Sequence, residues 1–503
     1  MEIKKMMIGT LCEPQYLNAQ QSVESDFVLP DYYDTIGKLL KCSVIPVTEA
    51  VNIASDKISV AGSAEISFLY TGEDNKLYNY ENSIKYTKNI RYENMEATDC
   101  ISIRQEMISV NYKVLGPKRV EIRGQIRITA EIVKNNNTEF ISEIIDDNIE
   151  IKKNLFSDFC PVNAAVREIS LSTVARLQDE FSPRVILRKS SNTIFTEVKP
   201  ISNKLYLSGN TEIEITYLSD KDNSINKHLL SIPVSEVVDF YGVDEQSVCE
   251  VEIAESNIIV NNINSDKENS FDVRVVLSLK IISFVNKEFF YISDMFSVKE
   301  EIKAASEDIL LRKKRSTINK TVSMSLDADI FENENVNIED CFVENIRVIS
   351  EKNKGGSGFF VSGDFNALVK NSNGNMGLIS RNATADFAVS EISDDVSIIS
   401  FESSVLSCSA LQGNDSKIHL AADVYVTIKT EESCKVKLLT DVVMTDCALE
   451  KENSEIVLYF AQKGETVWEI AKENKVHIES IKKNNSVTAD ILENDIMLLM
   501  ADF

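Results

Sequence analysis

The chain has 503 residues, enough for several separate hydrophobic cores, and 43% of it is apolar, which is the globular rather than the disordered range. With 79 acidic against 53 basic residues it carries a formal charge of −26, a balance that repels nucleic acid and anionic lipid and favours neutral or basic partners. No stretch reaches the roughly 20 apolar residues that span a bilayer, so no transmembrane helix is expected.

At the N-terminus, Lys4 and Lys5 precede a six-residue run, Met6 to Leu11, closed by Glu13. That run is too short for the apolar segment of a secretion signal, and a cytoplasmic protein is expected. The segment Leu29-Pro30-Asp31-Tyr32-Tyr33 follows, then a short helix candidate over Asp34 to Lys41. Next comes the start of a repeat. Val60-Ala61-Gly62, Leu207-Ser208-Gly209 and Val361-Ser362-Gly363 each pair an apolar and a small residue with glycine. The glycines are spaced by 209 − 62 = 147 and 363 − 209 = 154 positions. Apolar residues recur four and six positions later: Ile66 and Phe68, Ile213 and Ile215, Ala367 and Val369.

A second alternating element recurs downstream, from Val120 to Ile128, Phe271 to Leu279 and Ile418 to Ile428, with starts spaced by 271 − 120 = 151 and 418 − 271 = 147. Two elements sharing a period of domain size imply tandem units. Period-two alternation rich in Ile and Val predicts strands with one buried face. The reading is mainly β: antiparallel sandwich-like repeats over 1–155, 156–302 and 303–450, with the glycines where strands bend or bulge. Leu177-Gln178-Asp179-Glu180-Phe181 stands before Gly209 much as Leu29 to Tyr33 stands before Gly62. No third copy is evident, so the third repeat is expected to be divergent or truncated.

Within the third repeat, Glu307 to Lys314 is a second helix candidate, and Arg312-Lys313-Lys314-Arg315 reads as its solvated end. Lys354-Gly355-Gly356-Ser357-Gly358 lacks the Lys-Ser or Lys-Thr of a phosphate cradle and reads as a flexible turn. Nine cysteines, widely spaced and odd in number, read as reduced, mostly buried thiols. His228, His419 and His477 are isolated, with no second ligand at metal spacing. Acidic pairs such as Asp146-Asp147 and Asp394-Asp395 read as solvated loops. No nucleophile elbow, Walker motif or dinucleotide fingerprint occurs, so no catalytic residue, metal or cofactor is assigned and a non-enzyme is expected.

The character changes in the last segment, 455–503. A strand from Ile456 to Ala461 leads through Gln462-Lys463-Gly464 into a helix, with Thr466 and Glu469 at capping-box spacing. Val467, Ile470 and Ala471 share one face of that helix. A second helix from about Ile478 to Lys483 turns Ile478 and Ile481 inward, and Asn484-Asn485 suit a left-handed stop. Ile496, Leu498 and Met500 alternate as a closing strand. Lys463 to Ala471 and Ile481 to Asn485 resemble the two halves of a LysM domain. The family's Pro-Gly-Gln-like turn is replaced here by Glu493-Asn494-Asp495.

That resemblance implies a shallow groove between two loops that takes N-acetylglucosamine polymers. In this chain the groove or partner surface corresponds to Gly464, Glu465 and Thr466 and to Val487, Thr488, Asp490, Ile491 and Leu492. Backbone groups would hold acetamido groups, and Ile491 and Leu492 would give apolar contact. Val467, Trp468, Ile470, Ala471, Ile478 and Ile481 would form the module's core. β-rich repeats ending in one LysM, with the Leu29 to Tyr33 segment and the Val-Ala-Gly and Leu-Ser-Gly strand starts, resemble the SPOCS-domain spore-coat morphogenetic proteins of clostridia, of the SipL type. The resemblance implies a scaffold on the mother-cell side of the forespore, later in the spore coat. Its LysM would dock on the basal spore-coat ATPase that polymerises there. The alternative is a peptidoglycan-binding protein of the spore cortex or cell wall.

Overall fold

The computed structural model describes residues 1–11, 14–93, 95, 96, 99–177, 183–265, 268–330, 336–353, 356–389, 396–413, 417–448 and 457–500. The first repeat contains β1 (Glu2–Leu11), β2 (Gln15–Val28), β3 (Lys38–Ala54), β4 (Lys57–Thr71), β5 (Leu77–Arg91), β6 (Cys100–Gly116), β7 (Arg119–Val133) and β8 (Asn135–Ile145). Two three-stranded antiparallel sheets, β3-β4-β5 and β2-β7-β6, face each other. The alternating residues of the two central strands make the core between them: Val60, Ile66 and Phe68 from β4, and Val120, Ile122 and Ile126 from β7.

The second repeat repeats this plan with β9 (Ile149–Arg176), β10 (Pro183–Ile201), β11 (Lys204–Ser219), β12 (Ile225–Asp239), β13 (Val248–Ser265) and β14 (Glu268–Ser297). Its sheets are β10-β11-β12 and β9-β14-β13. So does the third, with β15 (Glu300–Asp329), β16 (Val336–Asn353), β17 (Gly356–Asn371), β18 (Met376–Phe387), β19 (Val396–Gln412) and β20 (Lys417–Ala448) in sheets β16-β17-β18 and β15-β20-β19. The third repeat is therefore a full copy rather than a truncated one. Its counterpart of Leu29 and Leu177 is Ile330, buried like them and placed 363 − 330 = 33 residues before its glycine, as Leu29 is before Gly62. Gln178 to Phe181 lie outside the described residues.

The three glycines lie in regular strands; the bulge is in the strand opposite. Register shifts between Thr48 and Ala50, Phe195 and Glu197, and Glu344 and Arg347 fall across from Gly62, Gly209 and Gly363. The bulged backbone presses on the glycine. A Cβ would come within 2.7 Å of the Val47 carbonyl oxygen at Gly62 and 2.2 Å of the Ile194 carbonyl oxygen at Gly209.

In every repeat the first strand pairs with the last, and this pairing runs beyond the sandwich. In the second repeat β9 and β14 stay paired down to Ile149 and Ser297, and in the third β15 and β20 stay paired down to Glu300 and Ala448. In the first repeat the pair is interrupted, and β1 with β8 forms a separate ribbon. The three ribbons share one apolar core. Ile8, Phe140, Phe289, Leu311 and Leu438 meet in one cluster, and Ile141, Ile149, Ile292 and Val442 in the next. A further cluster of Leu40, Leu77, Leu218 and Leu368 joins all three sandwiches.

Cys100 and Val133 pack with Ala164, Val166 and Ile282 between the first two repeats, and beside these apolar clusters the seams carry ion pairs. Lys280 pairs with Glu131 at 2.6 Å, Arg315 with Glu250 at 2.7 Å and Lys227 with Asp340 at 2.5 Å. Lys41 pairs with Glu344. Cavities of about 1080 and 620 Å³ lie between the repeats, each lined by residues of all three.

Several sequence expectations change. Asp34 to Lys41 is an extended approach to β3, and Glu307 to Lys314 lies in β15. There Ile309 and Leu311, two apart, face the ribbon core, which a helix would not allow. Arg312 and Arg315 are not a solvated end: both form ion pairs with Glu431, at 3.3 and 2.8 Å. The expected boundaries at 155/156 and 302/303 fall inside β9 and β15, which begin at Ile149 and Glu300. Lys354, Gly355, Asp394 and Asp395 lie outside the described residues, and Gly356 already begins β17.

Substituting Gly209→Ala tests the close approach. The added methyl meets backbone rather than a movable side chain, so overpacking should destabilise the protein by about 1–3 kcal/mol. Denaturant unfolding reads the effect, and an unchanged midpoint would contradict it.

Candidate functional site

The C-terminal module is built from β21 (Val457–Ala461), α1 (Val467–Asn474), α2 (Ile478–Asn485) and β22 (Ile496–Met500). Thr466 caps α1: its hydroxyl accepts from the Glu469 amide at 3.2 Å, and the Glu469 carboxylate accepts from the Thr466 amide at 3.4 Å. Lys475, with φ of +51°, ends α1, and Ser486, with φ of +54°, ends α2. The left-handed stop is thus one residue beyond the expected asparagines. Asn485 instead ties the helix to the sheet, donating to the Ile481 and Leu499 carbonyls at 2.8 and 3.0 Å and accepting from the Leu499 amide at 2.6 Å. Val467, Ile470, Ala471 and Ile481 are buried in the module's core, and Ile478 packs at its margin.

The two candidate loops lie side by side. The Gly464 amide donates to the Leu492 carbonyl, the Leu492 amide to the Glu465 carbonyl and the Val467 amide to the Asp490 carbonyl, each at 2.9 Å, and Thr466 bridges Ile491. These backbone groups serve each other rather than an incoming acetamido group. Glu465 takes the Gln462 amide at 3.0 Å and the Tyr459 hydroxyl at 3.4 Å. Asp490 takes the Lys482 ammonium at 2.5 Å, and the hydrogen bond and charge of that ammonium hold its carboxyl below the ordinary range. Asp495, in the turn that departs from the LysM pattern, accepts from the Lys463 amide at 2.8 Å. Gly464, Thr488 and Ile491 are exposed, and Val487 is half-buried. Leu492, expected as an apolar contact, turns into the core, because the bridge at Ile491 sends neighbouring side chains to opposite sides.

A second open surface was not anticipated. In the β21–β22 pair, Phe460 lies opposite Met497 and Leu458 opposite Leu499, so these side chains share one face. Leu458, Phe460 and Met497 are each about 60% exposed (62%, 63% and 59%). Residues 451–456, which precede that strand, lie outside the described residues, Ile456 among them.

Trp468 does not belong wholly to the module's core. It stands half-buried where the module meets the β9–β14 ribbon. Its indole N–H donates to the Asp294 carboxylate at 2.8 Å, and its ring meets Phe296 edge-on at 5.2 Å. Lys472 adds two bonds to Asp294, at 2.6 and 2.8 Å. His477 and the Ile478 amide reach Glu150 at 3.1 and 3.3 Å. Phe296 and Val298 are buried beneath the module, inside its own apolar cluster. The module is therefore seated on the second repeat's ribbon. No local motif in the sequence marks this seat, though a tryptophan on a small amphipathic helix needs a partner for its N–H.

The remaining histidines are apart: His419 bonds Asp327 at 2.9 Å, and burial pushes His228 down. Among the described residues no group of His, Cys, Asp and Glu is placed to hold a metal, and no helix is long and apolar enough to cross a membrane.

Residues 35–115 and 184–263 match the family described as SipL, SPOCS domain. Over those two segments the chain is similar to SPOCS domains of the SipL type. The two matches cover equivalent ground, β3 to β6 and nearly all of β10 to β13, so each SPOCS match takes in one meander sheet and the first strand of the return. No curated protein and no solved structure shows significant similarity to the chain.

The seat makes a pH prediction. Burial alone would raise the Asp294 carboxyl, but hydrogen bonds from Lys472 and Trp468 and the Lys472 charge outweigh it and hold the group below its ordinary range. A carboxyl depressed on docking stabilises the docked state fully above its undocked value, near 3.9, and that stabilisation is lost as pH falls through the lower docked value. Emission from Trp468, the single tryptophan, should stay constant from neutral pH to about 4 and change below that. Asp294→Ala should shift the emission to the red at neutral pH, weakening docking by roughly 1–3 kcal/mol while the module stays folded. An unshifted spectrum would contradict the seat.

Proposed function

We propose that the chain is a non-catalytic assembly scaffold of the spore envelope, acting on the mother-cell side of the forespore. Its SPOCS repeats support a sporulation role. In this reading the C-terminal module is a LysM-type domain that docks on the polymerising basal coat ATPase. The observation that carries the reading is the uncovered apolar face of Leu458, Phe460 and Met497 on so small a module. Exposed apolar residues clustered on one face suit a protein partner. N-acetylglucosamine polymer is the less favoured ligand, because the Gly464, Val467 and Leu492 amides of the two loops already donate to backbone carbonyls. One weak contact per scaffold suffices when many copies face a polymer, since local concentration multiplies the affinity.

The test is a binding titration of the full chain against the ATPase and, separately, against a chitooligosaccharide. Saturable binding to the ATPase is expected, reduced at least about tenfold, or ~1.4 kcal/mol, by Phe460→Asp with unchanged circular dichroism. Binding to the sugar with none to the ATPase would select the peptidoglycan reading. Release of soluble sugar from purified cortex would overturn the non-catalytic one.

A further inference from the structure

The third repeat contains two cysteines that the fold, not the sequence, brings together. Cys341 lies on β16 and Cys408 on β19, the outer strands of the two facing sheets, adjacent where the sandwich closes. The two thiols act on each other's titration across that edge. Both side chains are half-buried, so a small reagent can reach them.

The second repeat shows that this seam is a true juxtaposition. Ser191 and Cys341 lie opposite the fourth residue after their glycines, Ile213 and Ala367. Ser256 and Cys408 each directly follow the second residue of a register shift, Ile253 to Glu255 and Val405 to Ser407. Across the same seam in the second repeat, the Ser191 and Ser256 hydroxyls stand 3.1 Å apart. The first repeat has Val44 and Val110 at the matching registers, both in its apolar core. One position in the fold thus carries an apolar pair, a hydroxyl pair and a thiol pair.

The surroundings favour reaction at the thiol pair. Asp340, next to Cys341, is held by Lys227 at 2.5 Å and Arg188 at 3.8 Å, both from the second repeat. The Cys408 thiol comes first among the causes, and the Lys227 and Arg188 charges add to it; against burial and Asp340 they hold the Cys341 thiol below its ordinary range. Cys408 is driven up by that same interaction with Cys341 and by burial. The contrast with other cysteines is sharp: burial pushes Cys42 up to about 12, and Cys100 and Cys249 up to about 11. A partly exposed thiol near cations, with a second cysteine across the closing edge, is the environment of a redox-active cysteine.

We infer that Cys341 and Cys408 form a peroxide-reactive dithiol that closes into a disulfide across the two sheets of the third repeat. The Cys341 thiolate attacks hydrogen peroxide; an S–O bond forms, the O–O bond breaks, and hydroxide leaves. The Cys408 sulfur then attacks the sulfenic sulfur and gives up its proton. The S–S bond forms and the sulfenic oxygen departs as water. Overall, two thiols and one peroxide yield one disulfide and two waters. The bond fixes the closing edge of the third sandwich beside its seam with the second repeat.

The experiment exposes the reduced full-length chain to hydrogen peroxide, blocks free thiols by alkylation and maps the digest by mass spectrometry. A joined Cys341–Cys408 peptide is expected, formed before Cys42, Cys100 or Cys249 reacts, with a raised melting temperature. Cys408→Ser should leave a sulfenic acid on Cys341 that dimedone traps, and Cys341→Ser should abolish both products. The inference falls if both cysteines stay fully alkylatable after peroxide, or if Cys341 links elsewhere.

Discussion

The pairing of each repeat's first strand with its last is the constraint on which the molecule depends. A sandwich needs that pair only as long as its own core, yet β9, β14, β15 and β20 run on for a further dozen residues or so. The extra length cannot bury both faces alone, since a two-stranded ribbon is marginal in water. It becomes stable because three such ribbons bring Phe140, Phe289, Leu311 and Leu438 into one core. The tandem repeats are thereby joined into one body instead of hanging as beads, and each ribbon end becomes a platform.

The seams between the sandwiches follow a different rule. Apolar contact is confined to small clusters such as Leu40, Leu77, Leu218 and Leu368, while ion pairs such as Lys227 with Asp340 stand around the larger cavity. Lys280 is almost wholly buried against Glu131. Losing one partner of such a pair leaves an uncompensated charge, so these contacts fix the relative placement of repeats more than they add net stability. The same seam supplies Lys227 and Arg188 to the Cys341 neighbourhood.

Much of the fold was legible in the sequence because strand periodicity and glycine placement are local signals. The period, the sandwich class and the buried faces of β4, β7, β11 and β14 all follow from alternation. The failures share a cause. Ile309 and Leu311 were read in a short window in which helix and strand patterns overlap, and only Val436 and Leu438, over a hundred residues on, decide for a strand. Ile330 was missed because it keeps only the burial of Leu29, not its neighbours. At the C-terminus the capping box and core face of α1 were readable. The partner of Trp468 was not, since Asp294 is 174 positions away and nothing nearby marks it. The same holds for Cys341 and Cys408, which only the sandwich closure brings together.

The seated module gives the body a direction: its helices rest on the β9–β14 ribbon while Leu458, Phe460 and Ile491 remain open. This holds only if the ribbons make the three repeats one unit. Hydrogen exchange under mild denaturant, followed by peptide mass spectrometry, tests that most directly. Peptides from β4, β11 and β17 should lose protection together with those from the ribbon segments of β14 and β20, in a single cooperative opening. Three separate openings, with the sandwiches still protected after the ribbons exchange, would contradict the account.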